Sequence, residues 1–325
     1  MKHLSPHCFA IFALVSAVNP ASAQTLDPAR LGLDPTRLGE GIRPLPVPAF
    51  PTASTPSGQT LEDENRFAPE SPGDDDIGQQ LILKDAERER WLTAQASTAV
   101  FWSDNPANIS SGAKSDVFSA SQVSIAAQPR LAERLYLDAY VSQQVFRYDK
   151  YSFLNYEYLQ ANLGALYLEP RLWDSVLFAQ GQFGRTTASD FDEDVYNNFS
   201  LLAGIQKTII FDRRNSLYLN LMGDWDLYGD VDDFEHAEYI ADISYRFKIM
   251  RDLVLSASYR LTYFDYYNVD RSDVLSVMGL FLNWSPEEWI NIYAGCTFNF
   301  NESDVDVFDY NAANLGGGVG AQLRF

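Results

Sequence analysis

From about residue 93 onward, apolar and polar side chains alternate along the chain, broken at intervals by polar stretches rich in Gly, Pro, Asp and Asn. A period of two puts one set of side chains on each face of a strand. The last segment is the clearest. Leu315, Gly317, Val319, Ala321, Leu323 and Phe325 share one parity, with Asn314 and Gln322 on the other. The segments between breaks number twelve, near 93–102, 115–126, 134–147, 157–169, 174–185, 195–211, 215–228, 236–249, 252–265, 273–285, 289–300 and 311–325. Short breaks at 127–133, 170–173, 212–214, 250–251 and 286–288 alternate strictly with long ones. The long ones lie at 103–114, 148–156, 186–194, 229–235, 266–272 and 301–310. Twelve strands in up-and-down order predict an all-β protein, a closed antiparallel barrel with both strand ends of the chain on one side.

Facing follows from parity. Leu217, Leu219, Leu221, Gly223, Trp225 and Leu227 share one face, and so do Ala237, Tyr239, Ala241, Ile243, Tyr245 and Phe247, then Leu253, Leu255, Ala257, Tyr259, Leu261 and Tyr263. The opposite parity carries Asn220, Asp224, Asp226, Glu238, Asp242, Arg246, Lys248, Ser256, Ser258 and Arg260. A soluble sandwich would bury the apolar set. The strictly alternating break lengths and the aromatic-ended last strand favour the inverse, a barrel with its apolar face in lipid and its charges in the lumen. Strands 174–185 and 273–285 are apolar on either parity.

The N-terminal part differs. Met1 to Ala23 reads as a secretory signal peptide: Lys2 starts it, Cys8 to Val18 form its apolar core, and Ala21-Ser22-Ala23 is the cleavage site. Residues 24–76 contain a tandem heptad (Leu26 to Gly32, Leu33 to Gly39) and then prolines at 44, 46, 48, 51 and 56. This is the composition of an extended, disordered periplasmic linker. After Asp74-Asp75-Asp76, residues Ile77 to Leu92 predict a short helix. It would plug the lumen or, on a slight preference, cover the periplasmic mouth.

Charge narrows the partners. The sequence has 44 acidic and 24 basic residues, a formal net charge of −20, and loses Lys2 with the signal. That balance argues against nucleic acid. Cys296 alone remains after cleavage, too few for an internal disulfide, and reads as a small packed hydrophobe.

The ending Val319-Gly320-Ala321-Gln322-Leu323-Arg324-Phe325 resembles the C-terminal insertion signal of Gram-negative outer-membrane β-barrels. Together with the signal peptide it makes residues 93–325 similar to a porin-like barrel of that superfamily. The resemblance implies the outer membrane as location, with the N-terminal segment and the C-terminus periplasmic. It implies outer-membrane lipid and lipopolysaccharide as surroundings. It also implies the barrel-assembly machinery as the partner that reads Leu323 and Phe325. Twelve-stranded barrels of that superfamily include nucleoside and oligosaccharide channels, a phospholipase and autotransporter translocators. Residues 24–92 are too short for an autotransporter passenger.

Enzymatic chemistry is weakly signalled. His236, the one histidine of the mature chain, stands near Asp232, Asp233 and Glu235 and reads as a solvated loop residue; no catalytic residues are predicted. Acidic side chains crowd the long breaks. Asp190, Asp192, Asp194, Asp304 and Asp306 are candidate loop sites for loosely held Ca²⁺ or Mg²⁺, which take oxygen ligands. No loop has an EF-hand pattern, no His/Cys set suits a transition metal, and no cofactor is predicted. The candidate pore-lining charges are Asp138, Asp224, Asp226, Glu238, Asp242, Arg246 and Arg260, where rings of charge would set selectivity. The sequence therefore predicts a passive channel for small hydrophilic solutes, favouring cations or neutral molecules. The alternative is a non-transporting structural or adhesion barrel with an acidic outer face and a periplasmic tether.

Overall fold

The computed structural model describes residues 91–325 apart from 192 and 193. The predicted export segment, the linker and residues 77–90 of the predicted helix lie outside the described residues. Leu92, the expected end of that helix, instead opens the first strand, where it pairs with Ala127. Its extended neighbours Thr93, Gln95 and Ser97 continue the period-two pattern, and pairing on both sides draws Leu92 into the sheet.

Twelve strands form one closed antiparallel barrel in which each pairs with its sequence neighbours and the last closes on the first. They are β1 (Leu92–Ser103), β2 (Asp116–Ala127), β3 (Leu135–Tyr148), β4 (Tyr156–Glu169), β5 (Ser175–Ala188) and β6 (Asp194–Ile210). β7 (Asn215–Gly229), β8 (His236–Lys248), β9 (Leu253–Tyr266), β10 (Ser272–Glu287), β11 (Ile290–Ser303) and β12 (Tyr310–Arg324) complete it. Closure leaves no unpaired edge, which a sheet in lipid requires. At the seam Ala94 pairs with Leu323 and Phe101 with Gly316. Phe325 extends the seam by one residue: its N–H donates to the Leu92 carbonyl at 2.9 Å, and the Leu92 N–H donates back at 3.3 Å.

The observed strands match the predicted ones to within three residues at each end. The two classes of connection are less distinct than predicted. At the end away from the termini, residues 267–271 make a shorter link than residues 128–134 do at the terminal end. The strands run further than expected towards the first of these ends, here called the loop end. β10 also overruns its predicted turn and reaches Glu287 through a bulge between Trp284 and Glu287. Pro286 lies in that bulge, where its missing N–H breaks no ladder bond.

Outward positions carry exposed apolar side chains all round the wall, among them Val100, Val141, Leu163, Leu201, Leu221, Leu261, Leu280 and Leu315. Aromatics ring both ends of this belt. Trp102, Phe199, Tyr239, Tyr263 and Phe300 lie at the loop end, and Tyr167, Trp173, Phe211, Trp284 and Trp289 at the terminal end. An apolar belt flanked by aromatic girdles is the lipid-facing surface of a membrane barrel. Among the described residues no helix is long and apolar enough to cross a membrane.

The strands of unclear parity are resolved by burial. β10 turns Asp273, Leu275, Val277 and Asn283 inward, while Val274, Met278, Leu280, Leu282 and Trp284 stay exposed. The lumen is therefore not uniformly polar. Leu275 and Val277 pack with Phe264, Tyr266, Tyr310 and Ala312. Across the seam, Ala99, Phe101, Phe118, Phe146, Tyr148 and Tyr156 form a second inward cluster, joined by Leu154 and by Ala107 from the 104–115 loop. Phe101 stacks on Phe118 at 5.6 Å and Phe146 on Tyr156 at 4.4 Å between ring centroids. Both clusters sit towards the loop end, because their strand positions lie within a few residues of it.

Candidate lumen site and loop-end rim

The seven predicted lumen charges all lie on inward positions, but they do not form one network. Asp242 and Arg260 face each other across β8 and β9 and bond at 2.6 Å, with the Asn220 amide donating to Asp242 at 3.0 Å. Asp138 has no basic partner in its bonding: it accepts from the side-chain amides of Gln128, at 2.8 Å, and Gln180. Arg246 lies opposite Ser216 and Ser256, and its Nε is buried without a partner.

Asp224, Asp226 and Glu238 gather near the loop end. Asp224 and Glu238 stand directly opposite on β7 and β8. Asp226 is the next inward residue of β7; it accepts from the Asn198 amide at 2.8 Å and from the His236 backbone N–H at 3.1 Å. His236 belongs to this group. The expectation of a solvated loop histidine is corrected: His236 opens β8 on the inward parity and is 6% exposed. Its ring lies against Phe264 and Tyr266, at centroid distances of 5.5 and 5.1 Å. Nδ1 sits 2.6 Å from the Phe234 carbonyl oxygen and Nε2 3.1 Å from Glu238 Oε1. Both ring nitrogens thus face acceptors, a setting that the imidazolium form satisfies at each. Tyr267, just beyond β9, senses the group. Burial, then the charges of Asp226, Tyr239 and Asp224, push its phenol up to about 12.

Several acids of the loop-end rim are spent on backbone. Asp104, Asp230 and Asp304 each follow the last residue of a strand. Their N–H groups donate to the carbonyls of Ala313, Asn197 and Ser272. Their carboxylates accept the N–H groups of those same residues at 2.7, 2.9 and 2.9 Å. Each side chain thereby adds one more rung to a ladder that would otherwise end. A second device recurs in the β3–β4, β7–β8 and β11–β12 links. One 3-10 turn (Ser152–Leu154, Asp232–Phe234, Asp306–Phe308) is followed by Asn155, Glu235 or Asp309. These three side chains accept the N–H of Tyr148, Gly229 and Ser303 at 2.7, 2.6 and 2.7 Å. The next residue, Tyr156, His236 or Tyr310, turns inward and is buried. His236 therefore occupies a place that tyrosine takes in the two related loops.

Of the candidate cation-binding loop acids, Asp194 pairs with Arg185 at 2.6 Å, Asp304 holds Ser272, and Asp306 starts a 3-10 turn. Asp190 lies in the turn Ser189–Phe191, and Asp192 is outside the described residues. Among the described residues no three His, Cys, Asp or Glu side chains are placed to hold a metal ion. Asp273, which the sequence groups with the loop acids, points inward, fully buried, and is paired with Arg271. Sequence reading also missed Glu157. It faces outward near the loop end, fully buried, paired with Arg147 and accepting from the Thr187 hydroxyl at 3.1 Å. Arg147 and Glu157 are charges on the outward parity, and that misfit was the available signal.

No protein-family model matches the chain, and no curated protein matches it. Solved structures do. The COG4313 outer membrane channel from Pseudomonas putida F1 aligns with a TM-score of 0.52 at 11% identity, covering 82% of this chain and all of that one. The translocator domain of autotransporter NalP from Neisseria meningitidis gives 0.43 at 14% identity, covering 72% of this chain and 88% of that one. LpxR from Salmonella typhimurium gives 0.41 at 7% identity, covering 69% and 99%. The first of these likenesses, with the closed twelve-stranded wall and its apolar belt, shows the fold to be that of the bacterial outer-membrane β-barrels.

Proposed function

We propose that this protein is a narrow, passive outer-membrane channel for small hydrophilic solutes, favouring cations or neutral molecules. The observation that carries this reading is a band of inward polar side chains on β1 to β5 that remain partly exposed: Gln95, Gln122, Gln144, Gln160, Asn162 and Gln180. Inward amides reached by solvent line a wet path, where a filled barrel would bury them. Eight strands leave an interior just filled by side chains and sixteen leave an open pore, so twelve suit a narrow one. The Pseudomonas putida barrel of like fold is described as a channel. The excess of inward acid at Asp224, Asp226 and Glu238 repels anions. In this reading the terminal end faces the periplasm, the loop end faces outward among lipopolysaccharide, and Leu323 and Phe325 are read by the assembly machinery.

The purified, folded barrel in a planar bilayer is expected to give discrete conductance steps, with cations more permeant than chloride. Folded protein that never conducts would remove the channel reading. A non-transporting barrel is the second reading, favoured by the two inward aromatic clusters and by Ala107 folding onto one of them. It predicts silence in the bilayer, together with envelope or adhesion defects when the gene is deleted.

A further inference from the structure

On the inward face of β8, Arg246 has neither an acid to pair with nor an acceptor to donate to. Its Nε is buried without a hydrogen bond. Among the described residues its guanidinium makes no ion pair and no hydrogen bond. Asp242, the nearest inward acid of the same strand, stands two inward positions away and is held by Arg260 and the Asn220 amide. On the adjoining strands Ser216 and Ser256 lie directly opposite Arg246, followed inward by Tyr218 and Ser258. None of these is an acid. Lys248, the next inward residue towards the terminal end, adds a second positive charge and is exposed.

Two hydroxyls share this condition. Ser256 is 0% exposed, and Ser244, the inward residue before Arg246, is 1% exposed. Neither Oγ has a hydrogen-bond partner. Residues directly opposed in an antiparallel pair have Cβ atoms about 4.5–5.5 Å apart, which puts the Ser256 hydroxyl beside the stem of Arg246. A guanidinium offers donors only, and each serine hydroxyl offers one more. Buried polar groups in native proteins are satisfied as a rule, and buried charges are compensated. Unmet donors around an uncompensated positive charge mark the place of an oxyanion. The Arg246 side chain is only half-buried, so a solute in the lumen can reach it.

We propose that Arg246, Ser244 and Ser256 form a subsite in the lumen for the carboxylate of a small solute. One guanidinium balances one negative charge, and its fork matches the two oxygens of a carboxylate. The subsite rests on the channel reading and deepens it, by naming the class of neutral solute. A plain anion is repelled by the inward acids Asp224, Asp226 and Glu238 nearer the loop end, whereas a zwitterion brings its own positive group past them. Amino acids fit both parts of this arrangement.

Two measurements on the folded barrel test it. In detergent, urea unfolding is followed in rising L-alanine, in L-lactate, which lacks the ammonium group, and in L-alaninamide, which lacks the carboxylate, at equal ionic strength. A ligand that binds the folded state alone raises stability in a saturable way. L-alanine and L-lactate are expected to raise the unfolding midpoint with saturation, and L-alaninamide is not. Arg246→Gln, which removes an uncompensated charge, is expected to fold with a ligand-free midpoint no lower than the parent's and to lose the saturable rise. Ser256→Ala should weaken it several-fold. In a planar bilayer, L-alanine added at the loop end is expected to block the potassium current with saturation, at lower concentration than L-lactate does. Arg246→Gln should raise the half-blocking concentration about tenfold, as loss of a hydrogen-bonded charge does. Equal midpoints in L-alanine and L-alaninamide, or a rise that survives in Arg246→Gln, would overturn the subsite even in a conducting barrel; water alone would then solvate Arg246. Block by L-lactate at lower concentration than by L-alanine would overturn the amino-acid class. A silent barrel with saturable, Arg246-dependent stabilisation would support the subsite and sink the channel reading.

Discussion

At the scale of single residues, several acids on the loop-end rim do structural work. A strand that stops leaves N–H groups without a partner, and a carboxylate one residue beyond can accept them. Asp104, Asp230 and Asp304 do so across to the neighbouring strand, and Asn155, Glu235 and Asp309 do so within their own loops. The sequence displays these side chains as a charged rim and nothing more. Which N–H each one meets depends on the register between strands. Asp309→Ala leaves the Ser303 N–H without its acceptor and should cost about 0.5–1.5 kcal/mol, the usual net worth of one hydrogen bond. Urea unfolding of the variant against the parent measures it. His236 shows the same limit. Its parity is readable, but its burial depends on Phe264 and Tyr266 from the neighbouring strand and on the turn at Phe234.

At the scale of elements, alternation made all twelve strands legible in position and made facing legible on several, β7, β8, β9 and β12 among them. β5 and β10 resisted because their inward faces are partly apolar. Leu275 and Val277 point into the lumen and are nearly fully buried there. A period-two pattern separates the faces of a strand only when they differ in polarity. The seam has its own requirement. On β12, Gly316 pairs with Phe101, and a Cβ added there would lie 2.4 Å from the Phe101 ring and 2.3 Å from the Val100 carbonyl oxygen. The backbone atom cannot yield as a flexible side chain would. Gly316→Leu is expected to push Phe101 out of its stack on Phe118 and to destabilise closure by about 1–3 kcal/mol, the range for overpacking. The loss would appear as a lower midpoint in urea and as a larger unfolded fraction in unboiled gel samples.

At the scale of the whole molecule, the barrel reverses the usual solvent logic, with the apolar residues outside and the polar ones within. This inversion sets the tolerance of each face to charge. Leu280, exposed midway along β10, should meet lipid near the midplane. Leu280→Arg is expected to cost about 2–4 kcal/mol in vesicles, measured by reversible urea unfolding. The same inversion concentrates charge in the lumen, where it is arranged along the axis. Asp224, Asp226, Glu238 and His236 cluster towards the loop end, the Asp242 and Arg260 pair lies in the middle, and Arg246, whose Nε is buried without a hydrogen bond, lies beyond it.

The sequence by itself determined the strand count, the inward and outward sets, and the apolar belt, because period-two alternation is a local property that each segment carries alone. Only the tertiary structure decided which inward groups meet. Asp224 opposite Glu238, Ser200 beside them and His236 bonded to Glu238 all depend on strand register and barrel closure, and these are set by pairing between segments. The aromatic cluster around Phe118 arises in the same way, from the register of paired strands that sets Phe101 opposite Phe118, Phe118 opposite Tyr148 and Phe146 opposite Tyr156.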